Sequence, residues 1–157
     1  MEYMKKVWVF DIDGTLADND HRQHYLSGNK NWDAFFAEQH KDEPYQAVLD
    51  VLHALAYDRV KMLGDKIIIV TARDERFRND THDWLNKHIE FDLTDSVFMR
   101  PLGHRGNDDI LKVDIIKQWL VDNPGYKVGA IFDDRHRIID AFRNEDWYNS
   151  DRVELSF

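Results

Sequence analysis

The sequence predicts an open α/β domain: a mostly parallel sheet with helices on both faces and a small cap inserted after the first strand. Three observations lead there. Short apolar runs recur as KVWVF ending at Phe10, KIIIV at Lys66 to Val70, SVFM at Ser96 to Met99 and VGAIF at Val128 to Phe132. They barely alternate with polar residues, which suits strands covered on both faces, the habit of a parallel sheet. Segments of helical spacing separate most of these runs, which implies right-handed crossovers. Finally, the stretch after Leu16 is too long and too aromatic for a plain strand-to-helix loop.

In chain order, the first strand ends at Phe10 and gives way to DIDGT. The insertion spans about 17–43, and within it Asn31 to His40 has helical character, so that it would overhang the end of the first strand as a partial lid. PYQAVLDVLHALAYDRV then places Val48, Val51, Leu52 and Leu55 on one helical face, with Pro44 as a first-turn residue. Asp74 to Ile89, Asp108 to Asn123 and Arg135 to Trp147 read as helices in the same way; in the second of them Leu111, Ile115, Trp119 and Leu120 are in register. No repeat, low-complexity tract or Gly/Ser/Pro linker divides the chain, so 1–157 is read as one domain.

Composition narrows the chemistry. With no cysteine, disulfides, thiolate zinc sites and cysteine nucleophiles are excluded. No apolar run reaches 18 residues, so no membrane partner is expected, and the N-terminal run is too short and too soon followed by acids for a signal peptide. A cytoplasmic protein is therefore expected. The 30 acidic residues against 21 Lys and Arg should repel a long polyanion overall, so any phosphate ligand must be held locally.

The chemistry collects directly after the apolar runs: FDIDGT, TARD, MRP and DDR. In a parallel sheet these place Asp11, Asp13, Thr71, Arg73, Arg100, Asp133 and Asp134 at one edge, where open α/β folds bind ligands. Crowded carboxylates repel one another unless a cation intervenes, and a hard divalent ion such as Mg2+ takes oxygen ligands while leaving positions for a phosphate oxygen. Thr71, Arg73, Arg100 and Lys112 could hold the remaining phosphate oxygens. Together these residues outline a phosphoryl-transfer site.

DIDGT at Asp11 to Thr15, Thr71 after a strand, Lys112 on a helix and the Asp133-Asp134 pair resemble, in order and spacing, the four motifs of the haloacid dehalogenase (HAD) superfamily of phosphatases. TAR at Thr71 to Arg73, MRPLGHRGNDDILK at Met99 to Lys112 and FDDRHRIIDAFR at Phe132 to Arg143 are similar to the 3'-phosphatase domain of phage-type polynucleotide kinase-phosphatases, with Thr71 and Ala72 where those proteins carry Ser and Gly. The resemblance implies a HAD-like Rossmannoid fold and a magnesium-dependent phosphomonoesterase acting on a 3'-phosphorylated nucleic-acid end or nucleotide. A separate polynucleotide kinase or ligase would be a possible partner, and the oligomeric state stays open. It also implies roles. Asp11 would attack phosphorus and form an aspartyl-phosphate, and Asp13 would serve as general acid and base. Asp11, the backbone carbonyl of Asp13, Asp133 and Asp134 would hold the metal. Thr71 and Lys112 would anchor phosphate oxygens, Ala72, Arg73 and Arg100 would face the substrate, and Asp108 would orient Lys112 from one turn away.

Other readings stand beside this one. Taken alone, each of Asp11, Asp13, Asp133 and Asp134 reads as a turn or cap residue, a reading the set together overrides, and Thr71 has a second role as the N-cap of the helix beginning near Asp74. His21 and His24 lack a third zinc ligand, and the His82-Asp83 pair sits mid-helix without further histidine motifs. Tyr25, Trp32, Phe35 and Phe36 would stack a base or pack the lid. Arg76, Arg78, Arg105, Arg135 and Arg137 would track an oligonucleotide backbone or form a solvated surface. The alternative substrates are 5'-nucleotides or other small phosphate esters. A phospho-accepting receiver domain is the alternative of another class, disfavoured because its phosphoacceptor stands on a later strand.

Overall fold

The computed structural model describes residues 2–149; Met1 and residues 150–157 of the expected domain lie outside the described residues. The main sheet comprises β1 (Lys5–Phe10), β4 (Lys66–Asp74), β5 (Val97–Arg100) and β6 (Tyr126–Phe132), in the order β5-β4-β1-β6 with every neighbouring pair parallel. A two-residue antiparallel ribbon, β2 (Ala17–Asp18) and β3 (Glu43–Pro44), closes the neck of the insertion. The predicted class and the small cap are both present.

The apolar runs are explained by what lies on each face. Phe10, Ile67 and Ile69 point to one side and pack with Leu49 and Leu52 of α2 (Gln46–Leu55) and Trp84 and Leu85 of α3 (Arg78–His88). Val7, Val9, Ile68 and Val70 point to the other, against Val113, Ile116 and Trp119 of α4 (Asp108–Asp122) and Ile138 and Phe142 of α5 (His136–Arg143). With helices on both faces, neighbouring residues of a strand are both buried, and period-two alternation disappears. A last helix, α6 (Asp146–Asn149), continues the expected 135–147 segment after a break.

Three boundaries differ from expectation. β4 runs on through Thr71, Ala72 and Arg73 to Asp74, whose side chain accepts from the Arg76 N–H at 2.9 Å and starts the next turn. Thr71 is therefore a buried strand residue and not a helix cap. Pro44 sits in β3 opposite Ala17 instead of in the first turn of α2, a position open to proline because an edge strand does not need its missing N–H. Beyond Leu55 the helix widens into a π-turn over Ala56–Lys61.

Within the cap, a 3-10 turn over Asp20–Leu26 leads into α1 (Trp32–Ala37), where Asn31 caps by accepting from the Ala34 N–H. A second 3-10 turn, Gln39–Lys41, returns the chain to β3.

Candidate active site

The site begins where β1 stops. The Asp11 N–H still donates to the Phe132 carbonyl at 2.9 Å, as if the strand continued. The chain then folds on itself, with the Ile12 carbonyl accepting from the N–H groups of Thr15, Leu16 and Ala17. Gly14, at φ +82°, makes this turn possible, and it has a second reason to be glycine: a Cβ there would stand 2.2 Å from Asp134 Oδ2. A bare backbone at this point lets the Asp134 carboxylate approach from the end of β6.

Asp11 lies buried at the focus. Lys112, from the second turn of α4, donates to Asp11 Oδ1 at 2.9 Å and to Asp133 Oδ2 at 2.6 Å, while the Thr15 hydroxyl donates to Asp11 Oδ2 at 3.3 Å. Burial pushes the Asp11 carboxyl up to about 7; Lys112 opposes the shift, and the Asp133 and Asp13 charges add to it. Burial and then the Asp133 charge raise Asp134 as well. Lys112 is the mirror case, since burial disfavours its charge but Asp11 and Asp133 outweigh that and raise its pKa.

One oxygen each from Asp11, Asp133 and Asp134 can be chosen so that all lie within 4.8 Å of one another. Three carboxylates of this spacing with a single ammonium among them leave an excess of negative charge, which adds to the effect of burial in raising the proton affinities of Asp11 and Asp134. The donors are all hard oxygens, on one buried, one half-buried and one exposed carboxylate, so the set fits a divalent cation of the magnesium or calcium kind.

Asp13 faces the other way, toward the cap, and is held by two guanidinium groups. Arg73 donates through Nε to Oδ2 at 2.9 Å and through a terminal nitrogen to Oδ1 at 2.8 Å, and Arg22 adds a bond to Oδ1 at 2.6 Å. Burial would raise the Asp13 carboxyl, but Arg73 and then Arg22 overcome it and hold the group well below the usual carboxylate range. Both arginines are themselves fully buried. Arg22 also forks onto Asp42, with bonds of 2.8 and 2.7 Å, donates to the Phe35 carbonyl and lies over the Phe35 ring, its guanidinium carbon 4.1 Å from the centroid. Arg73 reaches Gln39 Oε1 and the Thr81 hydroxyl, and the Trp84 indole N–H donates to the Asp42 carbonyl. His21 Nε2 completes the cluster, 2.7 Å from Asp42 Oδ1.

The structure thus sorts the predicted residues. Asp11, Lys112, Asp133 and Asp134 converge, with Asp13 beside them, and Thr71 is buried within the adjacent β4, its hydroxyl accepting from the Arg73 N–H at 3.2 Å. The Arg73 guanidinium is taken up by Asp13, Gln39 and Thr81. Asp108 does not orient Lys112. Two deeper carboxylates take that ammonium, and Asp108 instead bridges Arg100 and Arg135, the latter at 2.5 Å. Arg100 is further fixed by the Ala72 carbonyl at 3.2 Å and the Gly106 carbonyl at 2.8 Å. Of the histidines read as possible zinc ligands, His21 is paired with Asp42 and His24 lies against Tyr25; His82 is hydrogen-bonded to Arg78.

Sequence reasoning missed Arg22, Gln39 and Asp42. Arg22 lies in a stretch crowded with polar residues, DNDHRQH, and nothing in its spacing marks the one that turns inward. The only available signal was the aromatic content of the insertion, which implies that the cap has an interior.

The family of the polynucleotide kinase PNKP phosphatase domain matches residues 5–148 of this chain. No curated protein matches it. Among solved structures, a chain of the Pnkp1/Rnl/Hen1 RNA repair complex is 25% identical over 90% of this chain, with a TM-score of 0.64. A chain of a Pnkp1/Rnl/Hen1 complex is 26% identical over 90%, with a TM-score of 0.63. This chain spans only 40% and 43% of those two chains. The class C acid phosphatase from Bacillus anthracis with tungstate bound shares the fold, at 17% identity and a TM-score of 0.60 over 83% of this chain and 52% of its own. With the family match covering nearly all the described residues and the carboxylate cluster at the edge where such a fold places it, the chain belongs to the PNKP phosphatase-domain family and is a HAD-type phosphatase.

Proposed function

We propose that this protein is a magnesium-dependent phosphomonoesterase that removes 3'-phosphate from nucleic-acid ends by way of an aspartyl-phosphate on Asp11. The observation that carries the reading is the placement of Asp11: a buried carboxylate bridged by Lys112 to Asp133, within reach of Asp134, and two residues from a carboxylate with a quite different environment. Asp11, Asp133, Asp134 and the Asp13 carbonyl would hold magnesium, which when bound offsets the negative charge and polarises the phosphoryl oxygens.

The chain's own groups divide the remaining work. In the first step an Asp11 oxygen attacks phosphorus, the bond to the leaving alkoxide breaks, and that alkoxide takes a proton from Asp13. Arg22 and Arg73 keep Asp13 ionised at rest, so it must gain its proton as the substrate arrives, and a phosphate dianion close by raises its proton affinity in the required direction. In the second step water attacks phosphorus, Asp13 accepts its proton, and the bond to Asp11 breaks to release inorganic phosphate. The Lys112 ammonium would stabilise charge on the phosphoryl oxygens, and the Thr71 hydroxyl would help to anchor them. Asp108 is a positioning residue for Arg100 and Arg135.

Family membership sets aside the receiver reading. The 3'-end preference draws on the same family and on the RNA repair assemblies to which its relatives belong, and a separate kinase or ligase as partner is proposed on that ground. The test compares phosphate release from 3'-phosphorylated oligonucleotides, 3'-mononucleotides and 5'-mononucleotides. Preference for the first is expected; equal or better turnover of 5'-mononucleotides would refute the 3'-end reading in favour of a nucleotidase.

A further inference from the structure

The cap and the segments that follow β5 and β6 differ in charge. On the cap side, residues 17–43 contain six acids against three Lys and Arg. Of those three, Arg22 is buried and Lys41 is paired with Glu38 at 2.5 Å. After β5, residues 100–107 contain no acid and two arginines, and the RHR run at 135–137 follows β6, with Asp108 and Asp109 the acids set among these four arginines. β5 and β6 lie at opposite ends of the sheet order, yet Asp108 at the start of α4 ties Arg100 to Arg135, so this basic wall spans the carboxyl end of the sheet.

The arginines of this wall are not equally committed. Arg100 is fixed and its side chain is only 13% exposed. Arg137 is 64% exposed and touches Asp109 only at 3.5 Å. Arg105, on a loop exposed from residue 101 to 107, has no partner among the described residues. On the other flank Arg78 is forked onto Glu75, and Arg76 lies over Phe77 between Asp33 and Asp74. Exposed cations without strong partners in a chain of net charge −9 mark where a polyanion is tolerated.

We propose that a single-stranded nucleic acid leaves the site across this wall, with its internal phosphodiesters against Arg105 and Arg137, and away from the acidic cap. The proposal rests on the 3'-end reading above and adds to it a direction for the strand and two residues that distinguish a polynucleotide from a small phosphate ester. The terminal phosphate is handled by the pocket, and the preceding backbone by the two arginines. Both are long, surface-exposed cations suited to phosphate oxygens.

The test uses the Arg105→Ala/Arg137→Ala double variant, the full chain, and two substrates: a short 3'-phosphorylated single-stranded oligodeoxynucleotide and p-nitrophenyl phosphate. Losing two phosphate contacts should lower kcat/KM on the oligonucleotide by about tenfold at low salt, mainly through KM, and flatten its log–log salt dependence by about 1.4. Turnover of p-nitrophenyl phosphate should be unchanged, which also reports an intact fold, and Lys30→Ala on the cap should leave both substrates unaffected. Unchanged oligonucleotide turnover in the double variant would overturn the proposal alone. An equal loss on both substrates would also overturn it, by placing the arginines' effect inside the pocket. If the wild type turned over only p-nitrophenyl phosphate, the 3'-end reading itself would fall, and this proposal with it.

Discussion

Replacing Asp11 by asparagine should stabilise the cation-free protein while abolishing turnover. The asparagine keeps an Oδ1 to accept from Lys112 and turns an amide toward the Thr15 hydroxyl, so packing and hydrogen bonding are nearly retained. What changes is charge. The Asp11 carboxyl moves from an ordinary value of 3.8 to about 7 in the folded protein. Between those values the folded state binds more protons than the unfolded chain, so stability is greatest below the lower value and declines as pH rises through about 7. The penalty on the wild type is about 2 kcal/mol at pH 5 and about 4 kcal/mol at pH 8. Asparagine carries no such penalty. In chelator, the melting temperature of the variant should therefore exceed that of the wild type, with the gap widening by about 5–10 °C from pH 5 to pH 8. Saturating magnesium should narrow the gap by stabilising the wild type through binding. A variant that melts at or below the wild type in chelator at pH 8 would refute the electrostatic account of the cluster.

Asp42→Ala leaves the buried Arg22 and Arg73 sharing Asp13 as their carboxylate and should cost about 3–5 kcal/mol in urea unfolding, the scale for a buried charge left uncompensated; a loss below about 1 kcal/mol would mean the cap is not anchored by the Arg22–Asp42 pair. Gly14→Ala combines a left-handed φ with a clash against the Asp134 carboxylate, and should weaken magnesium affinity roughly tenfold or more by calorimetry. Lys112→Met leaves Asp11 and Asp133 facing each other without their bridge. Its unfolding free energy at neutral pH in chelator should fall by about 3–5 kcal/mol, with a substantial part regained when magnesium is added.

The sheet was legible because parallel strands buried on both faces leave continuous apolar runs, and the metal-facing aspartates because they directly follow those runs. The length of β4 was not, since Thr71-Ala72-Arg73 reads as a loop until the cap is seen to cover it. Arg73 and Arg100 could not be told apart: each is an arginine at a strand end, and only the cap above the first makes it a buried support for Asp13. Asp108 and Lys112 have the spacing of a helical pair, but that spacing is indifferent to the stronger partners each finds elsewhere. The Arg22–Asp42 pairing joins positions twenty residues apart through a non-periodic segment, where no local rule reaches.

Arg22 belongs to the insertion and Arg73 to the central sheet, so Asp13 acquires its full set of counter-ions only where these two parts of the chain meet. A molecule whose sheet and packed helices have formed but whose insertion is undocked still presents Asp11 just after β1, Lys112 on α4 and Asp133 just after β6. It lacks half of the arrangement that governs the proton. On the proposed roles, such an incomplete molecule would bind a cation and yet be silent as a catalyst. The insertion therefore acts as a built-in completeness check: activity reports that the last piece of the chain has taken its place.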